Sequence, residues 1–373
     1  MTSEVAVRVE NSSPTFLSAN RRAVAVFAGI RSQYMKLASL QKAYFQSSDL
    51  SLIFIDTGQH YDDVLAKQYI EEYQIHFDYS LNCGDKTMSS TEVFARMIVE
   101  CENILRKIEP SAAIVFGDAN STLSAALAAR RLTIPLIHVE AGLRTNSSTS
   151  EELNRVIVDR ISQLHIASTK KDYARLVHEG YEATSEYLGD LVKDLAANYT
   201  TQNLDKKENK VLVSIHRDEN TRNCNLILSI LGELLDSNFF IHLITHPKVA
   251  KRKEFQNAHI LKHEKVTVTP SLPHHKLLKL MWKCKFCVTD SGALQREGFY
   301  VGTRSIVIQE SPFWPTLTDA KYNIKVNPGD CFKSKISEIE KPFDGYIDDF
   351  GSGNVAEEIL NFVNLWVNKN VES

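Results

Sequence analysis

Two short segments carry residues suited to acid–base chemistry. Phe116-Gly117-Asp118 and Val139-Glu140-Ala141-Gly142 each place a carboxylate directly behind an apolar, β-rich run. In open α/β sheets the carboxyl ends of strands are where ligands bind. Taken alone, a strand-end Asp is most simply the N-cap of the following helix. Here there are two such carboxylates, with a third cluster at Ser150-Glu151-Glu152-Leu153-Asn154-Arg155. That combination points to acid–base work on one substrate. Glu152 and Arg155 stand three apart on one helix face, so they also suit a structural ion pair.

Other segments suit an anionic group. Ala28-Gly29-Ile30-Arg31-Ser32-Gln33 joins an apolar run to a helical one and can aim backbone N–H groups and Arg31 at a phosphate; an ordinary Gly turn is the simpler account. Gly58-Gln59-His60-Tyr61-Asp62 follows the next apolar run in the same way. Ser214-Ile215-His216-Arg217-Asp218-Glu219 ends a run with a His and an Arg, which fits either a diphosphate or a salt-bridged strand end. In Asp290-Ser291-Gly292-Ala293-Leu294-Gln295-Arg296-Glu297, the Ser-Gly turn presents donors to phosphate, and Glu297 is placed to reach ribose hydroxyls. His242, His246, His259, His263, His274 and His275 crowd one stretch without any metal-ligand spacing, so they are expected in loops and on the surface, and no metal site is expected. Of six cysteines, Cys284 and Cys287 form one C-x-x-C with no second pair, which reads as structural.

The elements that must position these residues are short β-rich runs alternating with helical periodicity, the pattern of repeated βαβ units. Strands are expected at Ala23 to Phe27, Ser51 to Asp56, Ala112 to Phe116, Pro135 to Val139 and Leu164 to Ala167. Helices are expected at Tyr34 to Gln46, Thr91 to Lys107, Ser121 to Arg131 and Glu151 to Ser162. After the polar stretch Thr201 to Asn209 the pattern restarts, with strands at Lys210 to Ile215, Ile241 to Thr245, Val266 to Thr269, Phe286 to Thr289 and Ser305 to Gln309. The expected organisation is a polar tail over 1–20, a first α/β domain over 21–195, a second over 196–353 and a terminal helix over 354–373. With 373 residues, 43% apolar and 24% charged, the chain has the composition of a globular protein able to bury a core. A net charge of -3 gives no global field for nucleic acid, so an anionic ligand must be held locally. No apolar run reaches membrane-spanning length and the start lacks the form of a signal peptide, which places the chain in the cytoplasm without a membrane partner.

In combination, Gly29-x-Arg31, Thr57-Gly58-Gln59-His60-Tyr61-Asp62, Gly117-Asp118 with Ser121-Thr122, His138-Val139-Glu140-Ala141-Gly142-Leu143-Arg144, Glu151-Glu152-x-Asn154-Arg155, His216-Arg217-x-Glu219 and Asp290-Ser291-Gly292-x-x-Gln295-x-Glu297 resemble the UDP-N-acetylglucosamine 2-epimerase family. The order and spacing agree from about residue 22 to the C-terminus. HVEAGLR looks like the non-hydrolysing branch, and TGQHYD is also frequent in relatives acting on UDP-2,3-diacetamido-2,3-dideoxyglucuronate. The resemblance implies two Rossmann-like domains facing a cleft, a GT-B-like fold, with UDP held mostly by the second. It implies removal of the C2 proton while UDP leaves C1, giving a 2-acetamidoglucal, then return of both with C2 inverted, for polysaccharide biosynthesis. Asp118, Glu140 and Glu152 match the acid–base carboxylates and His216 the histidine assisting UDP departure. Arg31, Lys36 and Arg155 match cationic positions around the diphosphate; His60, Arg144, Arg217, Ser291, Gly292, Gln295 and Glu297 fall in motifs expected to hold substrate. A homodimer is implied, and no cofactor. The chain departs from the pattern at Ser32, Ile215 and Ala293, where Pro, Gly and Gly are usual, and at Gln309 and Thr316, where an Arg and a carboxylate are usual. A different UDP-amino sugar, a hydrolysing epimerase, a GT-B glycosyltransferase and a sugar-nucleotide-binding protein remain alternatives.

Overall fold

The computed structural model describes residues 7–8, 23–47, 50–59, 63–145, 148–200, 207–222, 224–309, 313–327 and 330–370. The chain forms two compact units, one from the segment ending at Leu195 together with the segment starting at Asp349, the other from Ala196–Asp348. Residues 349–353, assigned to the second domain from sequence, thus run with the first.

The first unit holds β1 (Val7–Arg8), β2 (Ala23–Ala28), β3 (Ser51–Asp56), β4 (Tyr79–Ser80), β5 (Ala112–Phe116), β6 (Leu136–Ala141), β7 (Leu164–Ala167) and β8 (Ser185–Tyr187), in the sheet order β1-β4-β3-β2-β5-β6-β7-β8. Neighbours are parallel except β1, which runs antiparallel to β4. β5 reads Ala-Ala-Ile-Val-Phe and is buried throughout, as a strand covered by helices on both faces must be. The helix Ser90–Ile108 starts with a capping box between Ser89 and Glu92. Against it the helix Asn120–Arg131 buries Ala125, Ala126, Ala128 and Ala129, small side chains that let a helix lie close to its neighbours. β2 comes first among the parallel strands, with β3 on one side and β5 on the other. The chain therefore reverses direction across the sheet between β2 and β5, and their carboxyl ends diverge there to leave a crevice.

The second unit repeats the scheme with β9 (Glu208–Ser214), β10 (Phe240–Ile244), β11 (Val266–Thr269), β12 (Cys284–Thr289), β13 (Ser305–Val307) and β14 (Ile324–Lys325), in the order β11-β10-β9-β12-β13-β14, all parallel. Its switch point lies between β9 and β12. β12 starts at Cys284, ahead of the expected Phe286, and β13 stops at Val307, which leaves Gln309 in a loop. Cys284 and Cys287 are buried in β12, and burial pushes the Cys284 thiol up to about 12. An inert structural role follows.

The terminal helix Val355–Asn370 packs on the helix Arg31–Ser47 of the first unit. Val355, Ile359, Leu360, Val363 and Val367 form its buried face, and Asp194 caps it by accepting from the N–H groups of Val355 at 3.0 Å and Ala356 at 2.8 Å. No helix among the described residues is long and apolar enough to cross a membrane.

Candidate active site

At the first unit's switch point one amide side chain ties the diverging loops together. Gln33, 2% exposed, accepts through Oε1 from the N–H groups of Gly29 at 2.8 Å and Ile30 at 3.2 Å, and from the Ser121 hydroxyl at 3.0 Å. Its Nε2 donates to Phe116 O at 3.0 Å and Thr122 Oγ1 at 2.8 Å. The turn after β2 is thereby fixed to the start of the helix after β5. Gly29 permits this closeness, since a Cβ there would lie 1.9 Å from Thr57 Oγ1. Gln59 adds a further tie by accepting from Ser121 N at 2.7 Å. Arg31, exposed at the start of its helix, stands over the Tyr69 ring at 5.7 Å.

β5 and β6 then deliver the two carboxylates. Phe116 and Val139 are register partners, and Gly117 N donates to Val139 O at 2.9 Å. Asp118 follows in the turn after β5, and Glu140 lies near the end of β6. Glu140 has φ +70° at a point where the β6–β7 register skips from Val139 to Ala141. A left-handed non-Gly residue at a bulge is strained and redirects its side chain. The Glu140 carboxylate forms an ion pair with Lys36, whose side chain is buried. Gly117, at φ +63°, leaves the space they occupy: a Cβ there would sit 3.0 Å from Glu140 Oε2 and 3.3 Å from Lys36 Nζ.

The helix Ser150–Ile161 presents Glu152, Arg155 and Asp159 on one face by their i, i+3, i+7 spacing. Arg155, 3% exposed, donates from Nη2 to Asp118 Oδ2 and from Nη1 to Glu152 Oε2, both at 2.5 Å. Glu152 Oε2 also accepts from Thr145 N at 3.0 Å and Thr145 Oγ1 at 2.8 Å. Asn154 Nδ2 donates to Asp118 O at 2.9 Å. Asp118 is no helix cap, since the N-cap position falls on Ala119. Asp159 takes His138 Nδ1 on Oδ1 at 2.6 Å, and Gly142 N at 3.2 Å and Arg144 Nη1 at 2.7 Å on Oδ2. Burial alone would raise its carboxyl, but His138 and Arg144 outweigh that and hold it below the usual range.

In the second unit Asp290 plays the part of Gln33. Fully buried at the end of β12, it accepts from His216 N at 3.0 Å, Arg217 N at 2.9 Å and Asn220 Nδ2 at 2.9 Å, while Arg217 Nε donates to its carbonyl at 2.9 Å. The loop after β9 is so locked to the loop after β12, with the His216 side chain 38% exposed. Ser291 Oγ caps the helix Gly292–Tyr300 by accepting from Leu294 N at 3.4 Å. Gly292 lies against Phe313, and its carbonyl accepts from Trp314 Nε1 at 2.8 Å. Gln295 donates to Gln309 Oε1 at 3.4 Å.

The contacts of the residues expected at the site are as follows. Arg144, expected to touch substrate, spends its guanidinium on Asp159 and, through two bonds of 3.1 and 2.6 Å, on Glu179. Arg155 and Lys36, expected near a diphosphate, are engaged by the carboxylates beside them. Glu297, expected to reach a ribose, has a side chain only 3% exposed, 3.4 Å from His274 Nε2. His274 is itself buried, against the expectation of a surface histidine. His60 lies outside the described residues, as do Tyr61, Asp62 and residues 310–312. Gln33, His138 and Asp290 stood in motifs read from sequence without a role of their own, and Asp159 in none; Asp159 had one available signal, its position seven residues after Glu152. Among the described residues no group of three or more His, Cys, Asp or Glu is placed to hold a metal ion.

Comparison with known proteins gives a consistent result. The model of the UDP-N-acetylglucosamine 2-epimerase family matches residues 42–364. The chain is 28% identical over 347 residues to the UDP-2,3-diacetamido-2,3-dideoxy-D-glucuronate 2-epimerase of Pseudomonas aeruginosa, covering 90% of this chain and 97% of that protein. In structure it is similar to the UDP-GlcNAc 2-epimerase of Methanocaldococcus jannaschii in complex with UDP-GlcNAc and UDP, with a TM-score of 0.80 and 26% identity over 92% of this chain and 99% of that one. MurG of Acinetobacter baumannii, at a TM-score of 0.51 and 10% identity over 92% and 91% of the two chains, shares the fold alone. Both units are Rossmann-like and the fold is GT-B-like.

Proposed function

Because the chain belongs to the UDP-N-acetylglucosamine 2-epimerase family, a family of isomerases, we propose that it interconverts UDP-N-acetylglucosamine and UDP-N-acetylmannosamine without hydrolysis. The observation that carries this reading is the delivery of Asp118 and Glu140 from the adjacent ends of β5 and β6, beside the switch point, each paired with a buried cation. In the reaction a carboxylate takes the C2 proton as the C1–O bond breaks, leaving 2-acetamidoglucal and UDP. The other group, in its protonated carboxyl form, gives its proton to the opposite face of C2 as the diphosphate oxygen re-forms the bond to C1, and the first group then releases the abstracted proton to solvent. Two carboxylates at neighbouring strand ends fit a reaction needing a base on one side and an acid on the other. Glu152 acts through Arg155, since three donors already occupy one of its oxygens. His216 and Arg217 are read as the groups that meet the departing diphosphate, a role suited to a half-exposed imidazole and a guanidinium held at a strand end.

The Pseudomonas aeruginosa relative favours a second substrate, UDP-2,3-diacetamido-2,3-dideoxyglucuronate, for the same C2 chemistry. Incubating the purified protein with each nucleotide sugar and separating the products by anion-exchange chromatography tests both. UDP-N-acetylmannosamine formed from UDP-N-acetylglucosamine is the expected product. Free N-acetylmannosamine with UDP would overturn the non-hydrolysing assignment, and turnover of the uronate alone would reassign the substrate.

A further inference from the structure

We propose that His138 and Asp159 are positioning residues for Glu140, forming a buried clamp that holds the bulged end of β6 in the conformation the reaction uses. The inference rests on the epimerase reading for the role of Glu140, while the clamp itself is a matter of geometry. Neither residue can touch a substrate, because His138 is 0% and Asp159 1% exposed. Asp159 grips the chain on both sides of the strained residue: His138, two positions before Glu140, on Oδ1 at 2.6 Å, and Gly142, two positions after it, on Oδ2 at 3.2 Å. The other ring nitrogen of His138 lies 2.7 Å from Gly117 O, so the same imidazole reaches the residue preceding Asp118. A carbonyl and a carboxylate both accept, so each ring nitrogen bonds its partner when it carries a proton.

The strain gives the clamp its purpose. A left-handed conformation is strained for an L-residue other than glycine, and it persists where the surroundings over-determine it. At Glu140 those surroundings include the Val139 carbonyl, which accepts from Gly117 N, and the two bonds to Asp159. Releasing either side lets the bulge relax toward regular β6, which turns the Glu140 side chain to a different direction. Because Asp159 shares a helix face with Glu152 and Arg155, one helix sets the placement of Asp118 and Glu140 together.

The test compares Asp159→Asn, His138→Asn and His138→Gln in the full chain. Asn at 138 keeps a donor facing Asp159, whereas Gln keeps only the donor facing Gly117. Asp159→Asn and His138→Gln are expected to lower kcat for UDP-N-acetylglucosamine epimerisation by about 10²-fold, with KM and the calorimetric affinity for UDP little changed. His138→Asn should retain clearly more activity than His138→Gln. Equal rates for the two His138 variants, or losses carried entirely by KM and UDP affinity, would overturn the clamp. Amide hydrogen exchange gives a readout independent of turnover: exchange at Ala141 and Gly142 should quicken in Asp159→Asn, and unchanged exchange contradicts the proposal. A wild-type protein inert toward UDP-N-acetylglucosamine would count against the functional reading, and the exchange result would still decide the clamp.

Discussion

Gly117 shows how narrowly the site is drawn at the scale of single residues. Its left-handed backbone and absent side chain let Lys36 and Glu140 meet in the space a Cβ would fill. Gly117→Ala is therefore expected to lose about 1–2 kcal/mol through backbone strain alone, and to displace the Glu140 carboxylate, lowering kcat at least tenfold in a steady-state assay. Replacing the carboxylates tests their role directly. Asp118→Asn and Glu140→Gln each remove proton transfer while preserving shape, and should cut kcat by about 10²–10⁴-fold with an unchanged circular dichroism spectrum. Activity within a few-fold of wild type in both would remove them from the chemistry. Sequence made these two visible because each follows an apolar run. It did not reveal the contacts of Asp159 or Asp290, whose partners lie on distant segments: His138 is 21 positions from Asp159, and His216 is 74 from Asp290. Arg144 and Glu297 likewise meet Glu179 and His274 only once the chain is folded.

At the scale of elements, the buried parallel strands and long amphipathic helices were readable because each carries its own apolar period. The strands β1, β4, β8 and β14 span two or three residues, too short for any period, and form only as additions to a sheet already present. The helix Lys170–His178 leads to a pH prediction. Asp172 sits in its first turn, buried, accepting from Thr169 Oγ1 at 2.6 Å. Burial, with smaller contributions from Asp349 and Asp159, pushes its carboxyl up to about 7. The folded protein thus keeps a proton that the unfolded chain releases near pH 4, and its stability falls as pH rises from about 4 to about 7. Asp172→Asn, which can still accept from Thr169, should remove that slope and raise stability at pH 7 by on the order of 2–4 kcal/mol. The melting temperatures of the two proteins should converge at pH 4; a constant difference across the range would assign the effect to packing.

At the scale of the whole molecule, the same device appears in each unit: a sheet whose strand order reverses, and one buried polar side chain, Gln33 or Asp290, tying the loops that diverge there. The chain returns to the first unit at Asp349, and its last helix completes that unit's surface. Ile359→Ala, at a fully buried position, should cost about 2–5 kcal/mol. In calorimetry this loss should fall on a transition that UDP does not shift, if nucleotide is held by the second unit. A UDP-sensitive transition moving instead would reverse that assignment. The central claim, that this chain exchanges the C2 proton of a UDP-amino sugar, is tested most directly by proton NMR of the protein with UDP-N-acetylglucosamine in heavy water. The account predicts loss of the C2 proton signal together with growth of the anomeric signal of UDP-N-acetylmannosamine. Persistence of the C2 proton, with UDP still bound, would contradict it.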